Sequence, residues 1–229
     1  MAYKYNHDIV HCGEKQHRFN PYVMNGGSIM AVAGDDFSVI AADSRLSLGF
    51  TIFSRDHPKT IQLTPTTVVA MAGFEGDILT FKKHAMNNVE TYQHDHGDYP
   101  STPAVASMLS KMLYYRRFFP YYVYNIVAGL DQDGKGCVYS YDPVGSYERE
   151  RYRAAGAANE LIQPLLDNQI GGKNMTNPPP PLTEERARRI CIDCFISAAE
   201  RDITTGDSVY VYVIKKDGVK SEKFDLRRD

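Results

Sequence analysis

An α+β architecture, two packed sheets flanked by layers of helices, is the fold this sequence predicts. Three observations predict it. The early apolar runs at 28–32 and 37–42 do not alternate with polar residues, so their sheet is covered on both faces. Blocks of strands are separated by helix pairs rather than by single helices, which argues against a singly alternating βαβ chain. No internal repeat is present, and neither half of the 229 residues completes a core by itself. An ordinary α+β sandwich is compatible with the same order.

Taken from the N-terminus, residues 1–25 hold few apolar anchors and read as an irregular leader ahead of a single domain, 26–229. Residues 28–32 form a strand, Gly34-Asp35-Asp36 a turn, and 37–42 a second strand. Further strands are predicted at 50–53, 60–63 and 67–71, the last closed by Gly73. Across 76–92 the period changes. Ile78, Phe81, Ala85, Val89 and Tyr92 recur at three- and four-residue steps, with Lys82, Lys83, Asn87 and Glu90 between them, as in an amphipathic helix. His94 and His96 end it in polar surroundings that suit a solvated turn better than a metal site.

A second helix starts with Thr102 as cap and Pro103 at the first helical position, where its missing N–H costs nothing. Val105, Met108, Leu109, Met112 and Leu113 form its apolar stripe. The run 114–122 carries aromatics around Arg116 and Arg117. That composition can stack nucleobases, but two arginines are few, and a protein contact or core packing explains it better. Strands at 122–130 and 136–142 flank the turn 131–135, which lacks the ligand ladder of a calcium loop.

Residues 157–169 predict a third helix with Leu161, Ile162, Leu165 and Leu166 apolar, bent or shifted in its start by Pro164. The segment 171–182, with four successive prolines, is a surface insert because proline continues neither a helix nor a central strand. Thr183 caps a fourth helix, with Ala187, Ile190, Cys191, Cys194, Phe195 and Ala198 on one face. Strands at 208–215 and 221–226 finish the domain around a turn at 216–218.

A formal charge of -2, with acids and bases intermixed, argues against a nucleic-acid partner. Cys191 and Cys194 lack a second ligand pair and read as buried thiols rather than zinc ligands. The polar stretch 1–20 has no signal-peptide core and no run is long enough to cross a bilayer, so a soluble intracellular chain is expected. No cofactor is expected.

Gly26-Gly27-Ser28-Ile29-Met30-Ala31-Val32, followed by Ala41-Ala42-Asp43-Ser44-Arg45, resembles the β-subunit family of the 20S proteasome. Lys59, Met71-Ala72-Gly73, and Ser197-Ala198-Ala199-Glu200-Arg201-Asp202 leading through Thr205-Gly206-Asp207 extend the resemblance over roughly 20–229. Phe19-Asn20-Pro21-Tyr22, Tyr141-Asp142-Pro143-Val144-Gly145-Ser146-Tyr147 and Gln163-Pro164-Leu165-Leu166-Asp167-Asn168-Gln169 are most similar to the sixth β position of the eukaryotic ring. The resemblance implies a four-layer αββα sandwich of the N-terminal-nucleophile (Ntn) hydrolase type.

Catalytic members of the family begin, after self-cleavage, with a threonine directly after a glycine. Its hydroxyl attacks the peptide carbonyl and its own amine manages the proton. Counting from the family aspartate, matched by Asp43, puts the nucleophile position at Gly27; counting forward reaches the family lysine at Lys59. Asp202 matches a later supporting aspartate, and Thr205 stands where the family has a serine. With no gap between Lys59 and Ala155, Ala155 replaces another serine, and Gly73 falls where active relatives line the substrate and oxyanion region. The resemblance therefore implies no catalytic residue here. Gly27 lacks a nucleophile, and Asp43, Lys59, Asp202 and Thr205 are a vestigial framework with structural roles.

The implied role is a non-catalytic ring subunit of the cytoplasm and nucleus. Its partners are the other α- and β-subunits, and polypeptide substrates pass through the shared chamber. The leader remains attached or is trimmed by a neighbour, with Phe19 and Tyr22 packing on an adjoining subunit. The rival is an active hydrolase using Ser28 after cleavage at Gly27. One residue along a strand moves a side chain by about 3.3 Å and turns it to the opposite face. A misplacement of even about 1 Å costs roughly a hundredfold in rate.

Overall fold

The computed structural model describes residues 20–228. Two hairpins seed one sheet. β1 (Ser28–Ala33) pairs with β2 (Ser38–Asp43), and β11 (Ser208–Lys215) pairs with β12 (Gly218–Asp225). β2 joins β11, and β10 (Tyr152–Gly156) closes the far edge, giving the antiparallel order β10-β1-β2-β11-β12. The second sheet, β5-β6-β7-β8-β9, contains β5 (Thr60–Thr64), β6 (Thr67–Gly73), β7 (Val123–Leu130), β8 (Gly136–Tyr141) and β9 (Tyr147–Glu150). A two-stranded ribbon, β3 (Leu46–Leu48) and β4 (Thr51–Ser54), stands apart from both.

The alternation of side chains along each strand sorts the apolar residues into three cores. Ile29, Ala31, Ile40 and Ala42 meet Val68, Ala70, Ile126 and Ala128 between the sheets. The next residues along β1, Met30 and Val32, face the other way, onto α3 (Asn159–Gln169) and α4 (Glu184–Ala199). On the second sheet Val69, Met71, Val123 and Val127 pack beneath α1 (Glu75–His96) and α2 (Thr102–Tyr115). The result is the four-layer αββα sandwich of the Ntn-hydrolase type. It explains the missing alternation, because every residue of β1, β2 and β6 is buried. Each fully buried large apolar side chain here stabilises by about 1.5–3 kcal/mol. Among the described residues no helix is long and apolar enough to cross a membrane.

Several boundaries differ from the sequence reading for local reasons. Ser101, not Thr102, is the cap of α2, and its hydroxyl accepts from the Ala104 amide at 3.4 Å. Thr102 is buried and shares a 2.8 Å hydrogen bond with Thr67, tying α2 to β6. His94 and His96 lie inside α1, which ends at Gly97 in the left-handed region (φ 74), where the cap N–H reaches the Gln93 carbonyl. α3 keeps Pro164 in its interior and begins at Asn159. Thr183 caps α4 as expected, accepting from the Arg186 amide. The segment 171–182 contains neither helix nor strand.

Candidate functional site

Antiparallel pairing assembles the site from distant parts of the chain. Ile29 stands opposite Ala42, so the start of β1 lies beside the end of β2, which is Asp43. Val209 of β11 stands opposite Asp43, so the loop 202–207 leading into β11 arrives at the same corner. Lys59, just before β5, reaches across from the second sheet. Gly27, Ser28, Asp43, Lys59, Asp202 and Thr205 thus meet in space.

Asp43 is fully buried, and its Oδ1 accepts from the Ser28 amide at 2.8 Å and lies 3.1 Å from Lys59 Nζ. Its Oδ2 accepts from the Arg45 amide at 3.2 Å and the Gly206 amide at 3.4 Å. Burial pushes this carboxyl above its ordinary value, while the Lys59 ammonium and the Ser28 and Arg45 amides pull against that. Lys59 is equally committed. Its ammonium donates to the Asp43 carbonyl at 3.0 Å and the Arg45 carbonyl at 2.6 Å as well as to the carboxylate. Three donors meet three oxygens, so no proton is left to direct at another group.

A second polar chain runs the other way from β1. Thr205 donates to Asp202 Oδ2 at 2.5 Å, so the 2.8 Å contact between Ser28 Oγ and Thr205 Oγ1 must use the serine proton. Ser28 Oγ also accepts from the Ala158 amide at 2.9 Å, and the residue has no exposed surface. Ser28 therefore points at Ala158 and Thr205, away from Lys59. Position 27 points at Lys59. A Cβ there would lie 2.3 Å from Lys59 Cε, and the backbone sits at φ +87, a region that β-branched residues avoid. The Gly27 carbonyl accepts from the Ala157 amide at 2.9 Å. Ala155 is paired opposite Ile29, two residues along the chain from Gly27. Gly73 has φ +134 and leaves no room for a side chain, since a Cβ would stand 2.4 Å from the Tyr122 carbonyl.

The model of the proteasome subunit family matches residues 23–214. Proteasome subunit beta type-1 of Danio rerio is 53% identical over 218 residues, covering 95% of this chain and 92% of its own. The Drosophila melanogaster protein of the same name is also 53% identical, over 220 residues and 95% of this chain and 94% of its own. The chain belongs to the 20S proteasome β-subunit family. A yeast relative, proteasome subunit beta type-6 of Saccharomyces cerevisiae, is 44% identical over 224 residues, 93% of each chain.

The sequence reading of this proteasome β-subunit missed an ion network. Asp207, in the left-handed region at φ 66, binds Arg45 Nε at 2.7 Å and Arg55 Nη1 at 2.6 Å. Arg45 Nη1 also donates to the Ile203 carbonyl, and the Asp207 backbone pairs with Arg227 and Leu226. This knot fastens the C-terminal segment and the loop 202–207 to the strand end that carries Asp43. Burial raises the Asp207 carboxyl, but the two guanidinium groups outweigh it and hold it below its ordinary value. Both partners lie more than a hundred and fifty positions away in sequence, so spacing gave no signal.

The described end of the leader also makes contacts within its own chain that the sequence reading did not foresee. Tyr22 packs on Phe74, Phe119 and Tyr122 of its own chain, and its hydroxyl donates to the Pro120 carbonyl at 2.6 Å. Asn25 donates to the Gly73 carbonyl, accepts from the Ser47 amide, and receives the Glu75 amide on its side chain. Phe19 and the leader before it lie outside the described residues. Cys191 and Cys194 are buried, which pushes both thiols up, Cys194 to about 12. No group of three or more potential metal ligands occurs among the described residues.

Proposed function

We propose that this chain is a non-catalytic, structural subunit of the 20S proteasome core particle, at the type-1 (sixth) position of the β-ring. There it walls the proteolytic chamber used for ubiquitin-dependent and ubiquitin-independent degradation, while neighbouring subunits supply the nucleophiles. The observation that carries this reading is Gly27. Its hydrogen cannot attack a carbonyl, and the space a side chain would need is occupied by the locked Lys59 stem. Asp43, Lys59, Asp202 and Thr205 then serve the fold, holding the corner where both sheets meet the C-terminal segment.

Ser28 is a poor substitute nucleophile on the same grounds. Its amide is held by Asp43, its hydroxyl by Ala158 and Thr205, and neither faces Lys59. The partners follow from the role: α- and β-type chains in the same ring, the adjoining α-ring and the opposing β-ring, in cytoplasm and nucleus. Without a nucleophile at 27 the leader cannot remove itself, and Asn25 is positioned to keep its end pinned across Gly73.

The test is affinity purification through a tag on this chain, followed by an epoxyketone probe for N-terminal nucleophiles. The reading expects α- and β-type chains in the eluate, with the probe on some of those chains and not on this one. Purification as a free chain, or probe bound to this chain, would overturn it.

A further inference from the structure

Asn25 is the one asparagine in the sequence that a glycine follows. In such a pair the next backbone nitrogen can close a five-membered ring on the side-chain carboxamide, because glycine puts no Cβ in the way. Packing fixes that glycine. Gly26 is buried at φ +72, and a Cβ there would stand 2.7 Å from Thr204 Cβ. Its amide has no hydrogen-bond partner among the described residues. By contrast, the Gly134 amide in the Asp133-Gly134 turn donates to the Asp131 carbonyl at 3.0 Å.

The group to be attacked is held as well. Asn25 Oδ1 accepts from the Glu75 amide at 3.0 Å, at the start of α1, where the cap residue Phe74 supplies no side-chain acceptor of its own. The Asn25 amide donates to the Gly73 carbonyl at 3.1 Å, and its carbonyl accepts from the Ser47 amide at 3.2 Å. A helix N-terminus favours negative charge, and the carboxamide oxygen is where charge develops when its carbon is attacked. Asn25 is only half-buried, so water reaches it.

We propose that Asn25 is a deamidation site poised by this fold. The Gly26 nitrogen loses its proton and bonds to Asn25 Cγ, the Cγ–Nδ2 bond breaks, and Nδ2 leaves as ammonia with that proton. Water then opens the resulting succinimide at either carbonyl, giving aspartate or isoaspartate at position 25. Aspartate keeps an acceptor for the Glu75 amide and adds a charge that the helix favours. Isoaspartate lengthens the main chain by one carbon between the Gly73 bond and β1, and so loosens the corner at Gly27. None of this requires a partner chain, so the inference stands apart from the ring-subunit reading.

Incubation of the folded full-length chain in heavy-oxygen water at mildly alkaline pH, followed by peptide mass spectrometry, tests it. Asn25 should take up one heavy oxygen at least about tenfold faster than any other asparagine. The rate should rise with pH, because the attacking nitrogen must lose its proton, and isoaspartate should accumulate at that position. Glu75→Pro removes the N–H that holds Asn25 Oδ1; proline suits the first helical position, and Phe74 before it is already extended. That variant should slow the conversion about tenfold, while Glu75→Gln should not. An Asn25 that stays unchanged, or converts no faster than the other asparagines, would overturn the site. A folded Glu75→Pro chain converting at the wild-type rate would overturn its activation by the fold.

Discussion

At the start of β1 an ammonium and a carboxylate are buried together and bonded on all sides, while in the α1–α2 groove two cations face outward beside partly buried methionines and exposed aromatics. The contrast has a physical cause. Removing an ion from water costs several kcal/mol, so a buried charge persists only with a complete set of partners inside the same chain. Lys59 meets that condition with three oxygens, and Asp43 with three amides and the ammonium. Lys111 and Arg116 remain solvated and carry no such penalty, so their partner can come from elsewhere. The corner at Gly27 is closed on its own partners, whereas Lys111 and Arg116 line an open groove with no acid beside them among the described residues.

Breaking the buried side should have the largest effects. Lys59→Met keeps the volume but strands the Asp43 carboxylate, and should cost about 3–5 kcal/mol in urea unfolding of the full chain. A loss below about 1 kcal/mol would mean the pair does not secure this corner. Asp207→Asn should come next, at about 3 kcal/mol near neutral pH, since Arg45 is buried with it. Its pH dependence has a defined sign. The folded carboxyl titrates below its ordinary value, so its stabilisation is complete above about pH 4. It is lost as pH falls through the lower folded value, and wild type and variant should converge in acid. A gap that widens on acidification would contradict the network.

Ser28→Ala should cost about 1–3 kcal/mol by leaving the Ala158 amide without its acceptor and ending the hydrogen bond to Thr205. At the other end of the scale, Lys111→Ala should change the free chain by no more than about 0.5 kcal/mol. A larger loss would place Lys111 in the fold and erase the contrast.

The fold was legible where local chemistry dominates. The hairpin at 28–42, the amphipathic period of α1 and the Thr183 cap of α4 were all readable from short windows, because periodicity and capping are local. β9 and β10 were not predicted. Tyr147–Glu150 is mostly polar and exposed at a sheet edge, and Tyr152–Gly156 gains its strand character from pairing with β1. The ribbon strand β3 is only three residues long and carries no pattern. Asp43 and Lys59 were visible through the family spacing. Arg45 and Asp207 were present in the same motifs without an assignable role, since their bond depends on β2 pairing with β11. The packing of Tyr22 on Phe74 and Tyr122 was not legible, since a tyrosine beside a proline gives no sign that those rings lie within reach.

The central claim is that this β-subunit carries no nucleophile of its own. The most direct test is the intact and N-terminal mass of the chain taken from the native particle after epoxyketone treatment. An N-terminus upstream of Gly27 with no probe mass is the predicted result. A chain that begins at Ser28 and carries the probe would contradict it and make this subunit a serine-type Ntn hydrolase.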